Sequence, residues 1–203
     1  MQAVALAYAA VWVVTSIRPF DRHDWLLENL LVAGLVIVLV TTYRAFPLSD
    51  LSYLLITALM TLHAVGAHYT YAQVPLGFWM QKAFGLTRNH FDRIVHFSFG
   101  LLMAYPIREV FLRVANARGF WAYYLPLDVT LAFSALYEIM EMVIASMVAP
   151  GTGDAWLGTQ GDVWDPQKDM GLAALGALIC MCITALVRRM RTPRPVLLAG
   201  ERL

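Results

Sequence analysis

Six stretches of the chain are apolar almost without interruption, and the polar residues gather in the gaps between them. The runs are Gln2 to Arg18, Leu26 to Arg44, Leu51 to Tyr71, Arg93 to Arg113, Trp121 to Val148 and Pro166 to Val187. A hydrocarbon core of about 30 Å takes roughly 20 mostly apolar residues as a helix, and each run is near that length. No alternation of apolar and polar residues runs through them, and lipid offers an exposed backbone no hydrogen-bond partner, so the pattern predicts helices throughout. The expected fold is all-α: a polytopic membrane helix bundle of about six transmembrane helices, with residues 1–203 as a single transmembrane domain. The longest connections are Ala72 to Asp92 and Ala149 to Asp165, and no repeat or linker divides the chain. Within the first of them, Gln73-Val74-Pro75-Leu76-Gly77-Phe78-Trp79-Met80 is apolar and aromatic. It is expected to lie half-buried at the interface, covering a site or guiding a lipid to it.

Composition supports the bilayer as solvent: 60% of the 203 residues are hydrophobic and only 14% are charged, with a mean hydropathy of +0.61. The net charge is +1, and no basic block stands apart from the membrane boundaries, which excludes a nucleic-acid partner. Cys180 and Cys182 are two residues apart on one helix and point to different faces, so no disulfide between them is expected. The first apolar run lacks a basic n-region and an A-x-A-like cleavage site, and is expected to be a mature helix rather than a signal peptide.

Lysine and arginine set the expected orientation. With both termini cytoplasmic, the inside holds Arg44, Arg108, Arg113, Arg118, Arg188, Arg189, Arg191, Arg194 and Arg202. The outside holds Arg18, Arg22, Lys82, Arg88, Arg93 and Lys168. Nine against six favours cytoplasmic ends, and the tail Arg188-Arg189-Met190-Arg191 after the last run strengthens the bias. This topology sorts residues that played no part in choosing it. All five histidines (His23, His63, His68, His90 and His96) fall at the outer end. So do ten of the fourteen carboxylates: Asp21, Asp24, Glu28, Asp92, Glu138, Glu141, Asp154, Asp162, Asp165 and Asp169.

Depth separates the informative groups from the rest. At about 1.5 Å per residue, Glu138 and Glu141 lie more than two turns below the outer end of their helix, and His63 about two turns below the end of its own. Ionisable groups at such depth are costly and face a bundle interior with a partner. Glu138 and Glu141, three apart, share a helix face; Asp92 with His96 and Asp165 with Asp169 repeat that logic at a spacing of four. The candidate ligands of a divalent metal are therefore His63, His68, His90, Asp92, His96, Glu138, Glu141, Asp162, Asp165 and Asp169. Mixed nitrogen and oxygen donors suit zinc, iron or manganese, and paired carboxylates on facing helices are how bundles hold two metals.

Other readings of the same residues stay open. Asp165 before Pro166 has the form of an N-cap and first helical position, and Asn89 with Asp92 that of a capping box. His63 and His68 are five apart and do not share a face of a regular helix, unless Gly66 permits a distortion or His68 lies beyond the helix. His23, beside Asp21, Arg22 and Asp24, reads as part of an interfacial loop. Arg18 or Arg93 could neutralise the glutamates in a salt-bridged core without metal. No H-E-x-x-H, G-x-S-x-G or P-loop is present.

The strings Leu62-His63-Ala64-Val65-Gly66-Ala67-His68-Tyr69-Thr70-Tyr71, Arg88-Asn89-His90-Phe91-Asp92-Arg93-Ile94-Val95-His96-Phe97 and Gly158-Thr159-Gln160-Gly161-Asp162-Val163-Trp164-Asp165-Pro166-Gln167-Lys168-Asp169-Met170 resemble those of the YjdF-type bacterial inner-membrane family, a family of unknown function. The resemblance covers nearly the whole chain and implies a multi-pass protein of the inner membrane. In the second half, Asp92-Arg93-Ile94-Val95-His96-Phe97 and the acidic pair Glu138 and Glu141 also resemble motifs of the VanZ-like membrane proteins, associated with glycopeptide resistance. That family usually shows Asp-Glu-x-x-Gln where this chain has Tyr137, Glu138 and Glu141. Neither resemblance supplies a reaction, so function rests on the site.

The leading expectation is a metal-dependent membrane enzyme, hydrolase-like, acting at the outer leaflet on a lipid or lipid-linked substrate, with Glu138 or Glu141 as catalytic base. The alternatives are a carrier for an ion, proton or small solute, and an accessory subunit that helps a membrane complex assemble. The carrier would need polar groups continuing inward, where the sequence offers only Glu109 and Asp128. Small residues in the last run (Gly171, Ala173, Ala174, Gly176 and Ala177) allow close packing within the monomer, in a homo-oligomer or against another membrane protein.

Overall fold

The computed structural model describes residues 2–147 and 158–191. Expectations about Asp154, Arg194 and Arg202 fall outside the described residues. Within them the chain forms seven helices and no strand. They are α1 (Gln2–Ser16), α2 (Arg22–Thr42), α3 (Asp50–His68), α4 (Pro75–Phe84), α5 (Phe91–Val114), α6 (Trp121–Met147) and α7 (Asp165–Arg191).

Five of them, α2, α3, α5, α6 and α7, are long and apolar enough to cross a membrane. The sixth expected span is α1, whose 15 residues fall short of the roughly 20 that a perpendicular crossing takes. Between α3 and α5, the apolar segment expected at the interface forms α4, 10 residues long, opened by Pro75 and closed by Gly85 in the left-handed conformation (φ 64°). Leu76, Phe78, Trp79 and Phe84 on α4 are exposed, as suits a helix lying among headgroups.

Local chemistry sets the other boundaries. Asp21 caps α2 by accepting hydrogen bonds from the backbone N–H groups of His23 and Asp24 at 2.7 and 3.0 Å. Ser49 caps α3 through the N–H of Ser52 and is itself held by the Glu109 carboxylate of α5. The capping box expected from Asn89 and Asp92 does not form. Instead Asn89 Oδ1 accepts from Phe91 N–H at 3.0 Å, and its amide donates to the carbonyls of Ala72 and Val74. Asn89 therefore ties the entry of α4 to the start of α5.

Helix α5 is the centre of the bundle, flanked by α3, α6 and α7; α1 and α2 rest on α3. Its closest neighbour is α7, and the two run in the same direction, with Asp92 and His96 beside Asp169, Gly100 beside Ala173, and Ala104 beside Ala177 and Met181. At their crossing a Cβ on Gly100 would strike the backbone of Ala173 and Ala177, and one on Gly176 would strike the carbonyl of Phe97. Small residues here let the two backbones touch, which is how helices gain packing where no water drives them together. Gly171, by contrast, has open space where a Cβ would be.

These glycines separate two kinds of substitution. Gly100→Ala and Gly176→Ala should each destabilise the detergent-solubilised protein, by about 1–3 kcal/mol as overpacking does in tight cores. Gly171→Ala should be neutral or stabilising by a few tenths to about 1 kcal/mol through helix propensity. Thermal unfolding of the three variants checks this, and equal midpoints would remove the close α5–α7 contact from the account.

Candidate functional site

Because α5 and α7 enter the bundle from the same end, their i, i+4 pairs face each other. Asp92, His96 and Asp169 each offer a ligand atom within 4.8 Å of the other two. Nε2 of His96 lies 3.6 Å from Asp92 Oδ1 and 3.4 Å from Oε1 of Glu138, which α6 delivers from its second half. Donors 2.0–2.2 Å from one tetrahedral ion stand about 3.4 Å apart, close to the two separations from His96, whereas Asp169 is placed within 4.8 Å of Asp92 and His96. His96, Glu138 and Asp169 are buried. Asp169 Oδ1 and Glu138 Oε1 have no hydrogen-bond partner, a costly state for a carboxylate in a membrane interior.

A second group adjoins this one. Tyr137 on α6 donates to Glu28 Oε2 on α2 at 3.0 Å. Tyr71 Oη lies 2.6 Å from His63 Nδ1, and His63 Nε2 lies 3.2 Å from the Glu28 carbonyl. A carbonyl only accepts, so Nε2 carries the proton, Nδ1 is the acceptor, and the Tyr71 hydroxyl donates to it. Burial and the surrounding carboxylates push the Tyr71 phenol well above its ordinary value, which keeps it a donor. Tyr71 reaches this place because Gly66 makes room: a Cβ there would lie 2.6 Å from the Tyr71 ring. Thr70 and Tyr71 adopt left-handed backbone, with φ of 52° and 49°, a strain of order 1–3 kcal/mol at each non-glycine residue. Asp24, Glu28, Tyr71, Asp92 and Glu141 line a small polar cavity of about 10 Å³, roughly the space of one water.

The remaining candidates have other partners. Asp165 Oδ1 receives Arg88 at 2.5 Å and Arg93 at 2.8 Å. Asp162 receives Arg93 and Lys168, each at 2.6 Å. Lys168 and Arg93 hold the Asp162 carboxyl well below the usual carboxylate range. Arg88 also donates to the carbonyls of Thr159 and Gly158, and Gln160 pairs reciprocally with the backbone of Asn89. The result is a clamp that fastens the segment before α7 to the segment before α5. His90 Nδ1 lies 3.2 Å from Arg93, and burial together with Arg93 and Arg88 lowers its pKa. His68 is the last residue of a continuous α3, and its Nδ1 lies 2.7 Å from the carbonyl of Thr15 on α1. Both ring nitrogens of His63 are engaged as described.

Sequence reasoning thus named Asp92, His96, Glu138, Glu141 and Asp169 among its candidates, and passed over Glu28, Tyr71, Tyr137 and the clamp residue Arg88. Asp24 and Glu28 carry the same spacing of four as the two pairs it used, a signal that was there to read. The alternative in which Arg18 or Arg93 neutralises the glutamates finds no ion pair to support it: Arg93 turns to Asp162 and Asp165. Among the described residues no lysine or arginine forms an ion pair with Glu28, Glu138 or Glu141.

The polar groups cap a deep groove of about 480 Å³ between α2, α3, α5 and α6. His63, Tyr71, Asp92, His96 and Tyr137 line its polar end; apart from Ser134 the rest of its lining is aliphatic, aromatic or methionine.

Comparison with known proteins places the chain. The family described as "Predicted membrane protein (DUF2238)" matches residues 1–190, and the chain belongs to it. The chain is also similar to the "Inner membrane protein YjdF" of Escherichia coli (strain K12), at 41% identity over 182 residues, covering 89% of this chain and 87% of that protein. No solved structure matches it. The fold and these relatives make it a multi-pass inner-membrane protein. They bear out the YjdF-type resemblance; the VanZ-like one stays an expectation from the residues.

The clamp generates a stability prediction. Arg88→Met leaves a buried Asp165 short of a partner, and breaking a buried ion pair costs about 3–5 kcal/mol. Asp162→Asn, at a more exposed carboxylate, should cost much less. Thermal unfolding, with limited proteolysis around residues 158–165, checks the ranking; a reversed order would mean that Asp162 anchors the clamp.

Proposed function

We propose that this protein is a metal-dependent membrane enzyme, hydrolase-like, acting at the outer face of the inner membrane on a lipid or lipid-linked substrate. The observation that carries the reading is the convergence of Asp92, His96, Glu138 and Asp169, with two carboxylate oxygens buried and lacking any hydrogen-bond donor. Carboxylates so close and without an arginine partner need a balancing positive charge, and a divalent cation supplies it while leaving the fold intact. Zinc, iron or manganese suits the donor set of one imidazole nitrogen and carboxylate oxygens.

When bound, such an ion polarises an ester or phosphoryl oxygen and lowers the pKa of water. The protein's own groups do the rest. His96, Asp92 and Asp169 hold the cation. Glu138 or Glu141 takes the proton as water adds to the substrate's carbonyl carbon or phosphorus. The Tyr71 hydroxyl, oriented by His63, stands at the edge of the same cavity, where it can give a proton to the departing alkoxide. Water and substrate thus become an acid and an alcohol, and the proton held by the glutamate returns to the Tyr71 phenolate across the water-sized cavity that Glu141 and Tyr71 line, which restores both groups.

The enzyme reading is favoured over a carrier by what lies beyond the site. Towards the other end α5 and α7 pack Ala104, Ala177, Cys180 and Met181 into an apolar core, and the buried guanidinium of Arg108 beside it lies over the Tyr123 ring, a cation that would oppose passage of another. Glu109, the carboxylate expected to help a carrier, is taken up by Ser49, Ser52 and Arg113. The positive-inside bias supports an outer-facing site, since the acidic residues gather at the end that this bias places outside.

Elemental analysis of protein purified without chelator tests the reading. Wild type should carry one or two equivalents of zinc, iron or manganese. Asp169→Ala and His96→Ala should lose the metal by well over the roughly 10–100-fold that outer partners contribute, while remaining folded. His68→Ala and His90→Ala should keep it. A wild-type protein without metal would replace this reading by a proton-balanced polar core.

A further inference from the structure

The groove that ends at the site has a shape and a position that select an occupant. Its lining along α5 runs Asp92, Val95, His96, Phe99, Met103, Ile107, a descent of about 22 Å at 1.5 Å per residue. That exceeds half of the roughly 30 Å hydrocarbon core, so the groove carries an apolar path from the polar end past the depth of one leaflet. Its volume of about 480 Å³ lies within the roughly 300–1,000 Å³ of small-molecule sites. The groove is long and is polar at one end only.

Its open side faces lipid. Leu31 on α2 and Phe133 and Leu136 on α6 line the groove and are 51–59% exposed. Helix α2 rests chiefly on α3, and at the polar end it is joined to α6 by the Tyr137 to Glu28 hydrogen bond. Below that bond a hydrocarbon chain can pass sideways from the bilayer into the groove without crossing a polar barrier. Ser134, buried with its hydroxyl unpartnered, lies on the groove wall as a small residue that leaves the space free.

We propose that the groove seats one acyl chain of a membrane glycerophospholipid, entering between α2 and α6, and presents the first polar linkage of that chain to Tyr71, Asp92 and His96. The assignment rests on the enzyme reading above and narrows its substrate to a diacyl lipid held by a single chain. An aqueous substrate would leave the apolar length of the groove without a role. A much longer polyprenyl chain would overfill it.

The test is native mass spectrometry of the whole protein after mild detergent exchange, with metal content measured on the same sample. Phosphatidylglycerol, supplied during purification, is the probe. Wild type should retain one phospholipid per chain, intact or as the fatty acid or lysophospholipid cleaved from it. Ser134→Phe and Met103→Trp, which fill the groove, should lose at least ten-fold of that retention while keeping their metal and their elution as a folded species. Electron spin resonance of wild type, with phosphatidylglycerol spin-labelled near the end of one chain, should show an immobilised component of one lipid per protein; this holds the test open if a filled variant fails to fold. Equal retention in wild type and folded variants, no immobilised component, or a retained polyprenyl phosphate in place of phospholipid would each overturn the assignment. Retained phospholipid without metal would sink the enzyme reading alone, and metal without lipid this inference alone.

Discussion

The contact of two helix backbones at Gly100 and Gly176 governs the arrangement of this protein. With no water to drive α5 and α7 together, their association depends on surfaces that meet closely, and glycine and alanine provide them. The contact has a direct chemical result. Both helices enter from the same end, so Asp92 and His96 on one face Asp165 and Asp169 on the other. Glu138 joins from α6, which packs on both. A side chain at either glycine would meet the backbone of the facing helix and force the two helices apart.

Such a concentration of negative charge would repel itself without compensation, and the fold sorts it into two parts. Near the helix ends Arg88, Arg93 and Lys168 absorb Asp162 and Asp165, building the clamp that fixes the start of α7. Around Glu138 and Asp169 no guanidinium forms an ion pair among the described residues; the buried Arg108 lies further along α5, over the Tyr123 ring. Asp169 and Glu138 keep oxygens without donors, and the second cluster is held by neutral hydrogen bonds from Tyr71 and Tyr137. Arginine thus serves architecture at the rim, and the carboxylates around His96 are left without an arginine partner among the described residues.

How much of this could be read from the sequence depends on the range of the interaction. Helix positions followed from apolar runs alone, because a bilayer imposes one length scale on every span; α1 is the shorter exception. The gathering at one end followed from the alternation of the spans, and the i, i+4 spacings picked out Asp92, His96 and Asp169 because helix geometry is local. Partner choice was not local. Nothing near Asp165 announces that Arg88, 77 residues away, will occupy it, and nothing near His68 points to the Thr15 carbonyl. Tyr71 carries no motif; its place depends on two left-handed residues and the space above Gly66. Glu28 was legible by spacing and was passed over because its helix otherwise reads as a plain apolar span.

The groove and the polar cluster are easier to understand together than apart. A polar cavity at the membrane boundary could be served from water, and an apolar groove could be filled by any neighbouring lipid. Asp92, His96, His63 and Tyr71 belong to both: they line the groove's polar end and make up the clusters above it. A molecule whose hydrocarbon part satisfies the groove necessarily brings its first polar atoms to those side chains. Packing of the chain against the groove walls, rather than exclusion of water, would then do the positioning, and on the proposed enzyme reading the reacting bond would be placed without a specific grip on the headgroup.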